Sequence, residues 1–252
     1  MTVDSARFEA AYSAAVKALN GERGQQGIGT LSEKTLHAVL KRYIEPDTSL
    51  HEVNVGRFVA DICRDDGVYE IQTGSFTPLR PKLEAMLDFT DVTVVYPMAA
   101  VKYLTWIDPE TGEAEKPHLS PKKMKPIDSC YELIRIKYAL DNPRFHLKLL
   151  MLEIQELRLR DGRRSRDGKR GSHRADRLPA RLIDEIDLHT PRDFDIFLPE
   201  TLPDEFTIKQ LAKAAGTAYG CAQCAVSILT YLERAEFVGK NGRTHIYRKA
   251  KF

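Results

Sequence analysis

The sequence is poor in cysteine, lacks any long apolar run and carries almost no net charge. Four cysteines, Cys63, Cys130, Cys221 and Cys224, are spread over 252 residues. That is too sparse for a disulfide scaffold, so a reduced, cytoplasmic setting is expected. No apolar stretch approaches the roughly 18 residues of a membrane span, so no membrane association is expected. Residues Met1 to Phe8 lack a basic segment leading into an apolar one, so no secretory signal is expected. A net charge of +2 says little by itself; where the charges cluster says more. What is present is ample apolar material: 42% hydrophobic residues, enough to build one large core or two ordinary ones.

The most informative stretch is Phe58 to Gly74. Two apolar, β-branched runs flank Arg64-Asp65-Asp66-Gly67, and Asp-Gly is a strong hairpin signal. Strand side chains alternate faces. Glu70 and Gln72 therefore share one face, with Tyr69 and Ile71 on the other. An in-register hairpin brings Asp61 beside Glu70. Two carboxylates in such a hairpin either lie on a solvated face or need neutralising. Hard divalent cations neutralise them through one or two carboxylates plus water and phosphate oxygens.

The surrounding elements read in order. Phe8, Ala11, Tyr12, Ala15, Val16 and Leu19 are spaced for a helix over 4–19, followed by a Gly-rich connector. A second helix is predicted over about 33–44, with Ser32 as N-cap. Glu33 and His37 fall on one i, i+4 stripe that can face the sheet. Residues 51–63 read as one long strand or a bent pair kinked at Gly56. A short amphipathic helix over 79–87, with Arg80 and Lys82 exposed, precedes a buried-type strand at 91–97. The stretch 102–108 pairs with the residues beyond Gly112, across a turn at 109–112.

Asp61, then Glu70-Ile71-Gln72, in an αβββαβ order over residues 30–108, resembles the PD-(D/E)xK, or restriction-endonuclease-like, nuclease superfamily. The resemblance implies an α/β core in which Asp61 and Glu70 hold Mg²⁺ or Mn²⁺. Glu33 takes the place of the glutamate often found on the preceding helix. Gln72 stands where the family usually has a lysine that orients the attacking water, and some of its restriction enzymes carry glutamine there.

The rest divides by composition. Residues 116–126 are rich in Lys and Pro and read as an exposed linker, ending a nuclease-like domain at 1–126. A connecting region comes next, at 127–200. It holds a helix at about 129–140 and, at 147–159, an imperfect alternation that leans to strand. From Arg158 to Arg181 there are ten Arg or Lys against three Asp, with Gly162, Gly168 and Gly171. Arg163, Arg164, Arg166, Lys169 and Arg170 crowd its centre. Arginine forks bond phosphate bidentately, so nucleic-acid contact is expected there.

Residues 201–252 resemble a winged helix-turn-helix: a helix capped near Thr207 and ended by Gly216, a second helix over 218–235, and a hairpin around Asn241-Gly242. Gln223, Ser227 and Thr230 are its candidate groove-facing residues; Lys240, Arg243 and His245 are its wing contacts. Cys221 and Cys224 lie at i and i+3 in the second helix. Small-hydrophobe packing fits them better than zinc, since no second ligand pair is near.

Together these features predict a metal-dependent DNA nuclease, with a homodimer favoured if both strands of a duplex are cut. The alternatives are a catalytically inactive DNA-binding regulator or defence-system subunit, and a protein-interaction module built on the winged helix.

Overall fold

A computed structural model describes residues 3–26, 35–160 and 173–250, the side chains of 22–26 excepted. Helix α1 (Ser5–Gln26) and helix α2 (Thr35–Ile44) bury the apolar stripes that their spacing predicts. Phe8, Ala15, Leu36, Val39 and Leu40 are all buried. The stretch 51–63 is the bent pair, strands β1 (His51–Val55) and β2 (Phe58–Arg64). They turn at Gly56, whose φ of 60° suits glycine.

The next turn, Asp65-Asp66, leads into β3 (Gly67–Ile71). Gly67 is needed twice over. Its φ is 133°, and a Cβ there would stand 2.6 Å from the Asp91 carbonyl oxygen. Helix α3 (Arg80–Met86) then carries the chain across to β4 (Val92–Ile107), which pairs parallel to β3. Arg80 is exposed as expected. Lys82 is not: its side chain is only 15% exposed, turned inward against β2 and β3.

Strand β4 joins two segments expected to be separate, with a register shift between Ala99 and Val101. The short β5 (His118–Leu119) folds back on its far end. Residues 126–139 form mixed helical turns around α4 (Cys130–Leu133) and are the crossover to β6 (Phe145–Leu159). Strand β6 lies parallel to β4, and β7 (His173–Leu188) returns antiparallel along it. The region expected to be a connector thus supplies two of the longest strands of the same sheet. Strand β6 is covered on both faces, which explains its near-continuous Leu147 to Leu152 run and its weak alternation. Among the described residues the sheet order is β1-β2-β3-β4-β6-β7, with β5 beside β4.

The chain ends in β8 (Glu205–Phe206), α5 (Ile208–Ala215), α6 (Tyr219–Tyr231), β9 (Ala235–Asn241) and β10 (Thr244–Lys249). Thr207 and Gln210 form a reciprocal capping box, and Gly216 closes α5 with left-handed φ and ψ of 60° and 44°. Strands β9 and β10 form the predicted hairpin, with β8 as third strand.

Two apolar layers hold these parts. On one face of the sheet α1 and α2 cover Ile62, Ile71, Val95 and Leu152. On the other, Val94, Leu147 and Leu149 meet Leu83 and Met86. The same core runs on through Ile127, Cys130, Leu133 and Ile136 to Cys221, Ala222, Ala225 and Leu229 of α6. Cys221 packs as the small hydrophobe expected, its Sγ donating to the Ile127 carbonyl. No helix among the described residues is long and apolar enough to cross a membrane.

Candidate functional site

Strands β2 and β3 pair at Arg64–Gly67, Cys63–Val68 and Ile62–Tyr69, and the ladder stops there. Beyond it β3 keeps to β4, with Glu70 opposite Val94 and the Gln72 amide donating to Val95. The strands therefore part at the positions of Asp61 and Glu70. An open seam exposes backbone donors that need a partner. Asp61 supplies one: its Oδ2 accepts the Ile71 N–H at 2.7 Å and lies 3.2 Å from His37 Nε2 on α2.

Glu70 is buried, its side chain only 7% exposed, and Lys82 Nζ sits 2.5 Å from Oε1. The contact is a close, largely buried ion pair. The same ammonium donates to the Val59 carbonyl on β2. Lys82 thus braces the seam from one strand to the other. His37 on α2 pairs with Asp61 on β2, and Lys82 on α3 pairs with Glu70 on β3, so two acid–base pairs flank the seam, near enough for the charge of Asp61 to act on Glu70.

The electrostatics separate the two acids. Burial, and then the charge of Asp61, push Glu70 up to about 7, with Lys82 only partly offsetting them. Burial also raises Asp61, but the His37 contact, the Ile71 N–H and Lys82 outweigh it and hold Asp61 below the ordinary carboxylate value. One carboxylate is firmly ionised, and its neighbour exchanges a proton near neutrality. That division suits acid–base chemistry.

Gln72 is placed differently. It lies just past the end of β3, and its side-chain amide donates to the Ser75 carbonyl, committing it to the 73–77 loop. Glu33 lies outside the described residues, as do Arg163, Arg164, Arg166, Lys169 and Arg170. The oxygen donors that a hard cation would find here are Asp61 and Glu70, whose Oε1 the Lys82 ammonium already contacts. Among the described residues no group of three or more His, Cys, Asp or Glu converges. Such a cation would complete its shell with water and substrate oxygens, as Mg²⁺ commonly does. The donor set fits on those terms.

A second surface lies at the C-terminus. Gln223, Ser227 and Thr230 of α6 face Lys240, Arg243 and His245 of the hairpin across one open slot of about 1090 Å³. The sequence predicts a ligand-facing role for every one of these residues. Lys137 and Lys209, for which it predicts none, also line the slot. Lys137 comes from the crossover, and only tertiary packing brings it there.

The fold and site define a mixed α/β protein with a buried carboxylate–ammonium cluster where two strands separate. Residues 34–189 match the family model described as "Domain of unknown function (DUF8091)", and the chain belongs to that family. It is also similar to an "Uncharacterized protein" of Treponema pallidum (strain Nichols), 28% identical over 223 residues, covering 88% of this chain and 87% of the relative. No solved structure matches.

Proposed function

We propose that the chain is a metal-dependent nuclease with a restriction-endonuclease-like core and a C-terminal winged helix. One observation carries the reading: Asp61 and the Glu70–Lys82 ion pair lie at the β2–β3 seam of an α2-β1-β2-β3-α3-β4 unit. That unit has the αβββαβ order of the family the sequence resembles.

Asp61 and Glu70 would hold Mg²⁺ or Mn²⁺. Such an ion, when bound, polarises a scissile phosphate and lowers the pKa of its water. His37 keeps Asp61 ionised and oriented. Glu70, raised to about 7 by burial and by Asp61 when no ion is bound, would be drawn into its ionised form as a ligand of that ion. Lys82 supplies the positive charge that the family usually draws from the position of Gln72, and stabilises charge building on the phosphate. The basic stretch 158–181 and the α6 surface bind DNA, with affinity falling steeply as salt rises. Cutting both strands would require two copies of the site, which favours a homodimer. The free thiols of Cys63, Cys130, Cys221 and Cys224 suit a cytoplasmic setting.

The test is nicking of supercoiled plasmid with Mg²⁺ or Mn²⁺ by wild type, Asp61→Ala and Glu70→Ala. Metal-dependent nicking lost in both variants supports the assignment. A second reading, a catalytically silent DNA-binding regulator or defence-system subunit, is favoured by two contacts. Lys82 already neutralises Glu70, and Gln72 is turned into its loop. Tight, salt-sensitive DNA binding without cleavage would select it.

A further inference from the structure

The α6 slot has features that contact with a duplex does not explain. A helix that reads a major groove must protrude into it. Here Gln223 and Ser227 line a concavity, flanked by the β9–β10 hairpin on one side and the start of α5 on the other. The slot also presents aromatic rings from both walls. Tyr219 at the start of α6 is 57% exposed, and Phe237 on β9 is 49% exposed. Phe237 stands edge-on to His245 and Tyr247, with ring centroids 5.2 and 5.9 Å away. Exposed rings at this density are unusual on a polar surface unless they meet a ligand.

Charge identifies the ligand class. Lys137, Lys209, Lys240 and Arg243 line the slot, and among the described residues no Asp or Glu does. Lys137 also lies 5.3 Å from the Tyr231 ring centroid, so cation and ring act together at one end. Cations along a groove with interleaved rings match a chain that alternates phosphates with flat bases. That pairing is the ordinary basis of single-strand recognition, with the rings stacking on bases and the cations tracking the backbone. Duplex bases are already stacked on one another and offer no free face.

We infer that the slot between α6 and the β9–β10 hairpin binds an unpaired stretch of nucleic acid, with Tyr219 and Phe237 as stacking platforms. The inference rests on the nucleic-acid reading above and narrows it. The protein would engage strands that are single, frayed or displaced, rather than intact duplex alone.

The test is fluorescence anisotropy of the full chain, in EDTA so that nothing is cut, with labelled oligodeoxythymidine and with the matching dA·dT duplex. The variants are Tyr219→Ala, Phe237→Ala and the double change Lys240→Ala with Arg243→Ala. Both rings are exposed, so the variants should fold, and circular dichroism checks that they do. Wild type should prefer the single strand. Each ring change should weaken oligodeoxythymidine binding about tenfold and collapse that preference. The double cation change should weaken binding and flatten its salt dependence. Duplex binding as tight as single-strand binding would overturn the inference while leaving the nuclease reading intact. Ring variants that bind like wild type would overturn it too, as would equal binding of polyglutamate, which has charge but no bases. Failure to bind either nucleic acid would overturn both readings.

Discussion

Replacing Glu70 by Gln should make the protein more stable at pH 8 and leave it nearly unchanged at pH 5. Glu70 is raised from its ordinary 4.5 to about 7 by burial and by Asp61. Between those values the folded chain holds a proton that the unfolded chain has released. Stability therefore falls as pH rises through this window, and the loss is complete above about pH 7. Each pH unit is worth about 1.4 kcal/mol, so the ionised carboxylate costs the fold about 3 kcal/mol. Glutamine keeps the shape of the neutral acid and cannot ionise. At pH 8 the variant should gain about 3 kcal/mol in urea denaturation, and about 8 °C in thermal midpoint for a chain of this size. At pH 5 the wild-type acid is already mostly protonated, so the gain should shrink to a few tenths of that. The measurements belong in EDTA, where no divalent ion offsets the charge. A variant less stable than wild type at pH 8, or a gain identical at both pH values, would refute the argument.

Three further outcomes are expected from the same geometry. Lys82→Met removes the ammonium beside Glu70 and the brace to Val59. Glu70 limits the damage by taking up a proton, so the loss should be about 1–2 kcal/mol at pH 8, smaller at pH 5, by urea titration. Under the nuclease reading, plasmid nicking should vanish with it. Mg²⁺ at a hundredfold excess over its dissociation constant should stabilise wild type by about 2.7 kcal/mol in calorimetry, and Asp61→Asn or Glu70→Gln should abolish that gain. Gly67→Ala should cost more than about 2 kcal/mol by the same denaturation assay, because its Cβ would meet the Asp91 carbonyl at a positive φ.

The hairpin carrying Asp61 and Glu70 was legible because its information is local: a turn dipeptide and two alternating runs. The cap at Thr207, the stop at Gly216 and the final hairpin were legible for the same reason. The pairing of β4 with β6 was not, because parallel strands are joined through a distant crossover and both-face burial erases alternation. Lys82 was missed on related grounds. On its helix it reads as an exposed polar residue, and only the direction of the α3 crossover turns it onto the seam. Gln72 shows the converse. Alternation assigned it to the face of Glu70, but β3 ends at Ile71 and the loop claims its side chain.

The crossover at 126–139 has a consequence for how the molecule comes apart. Its residues Ile127, Cys130, Leu133 and Ile136 are the seat of α6. Lys125 Nζ and Asp128 tie it to the α5–α6 turn, through the Ala215 carbonyl and Thr217. The first wall of the C-terminal helices is therefore encoded before the last two strands of the sheet. Cutting the chain near residue 200 would not release two working halves. It would strip the cover from four apolar side chains and leave the C-terminal piece without its floor. Melting should run as one transition, and a nascent chain would hold that crossover uncovered until its final fifty residues are made.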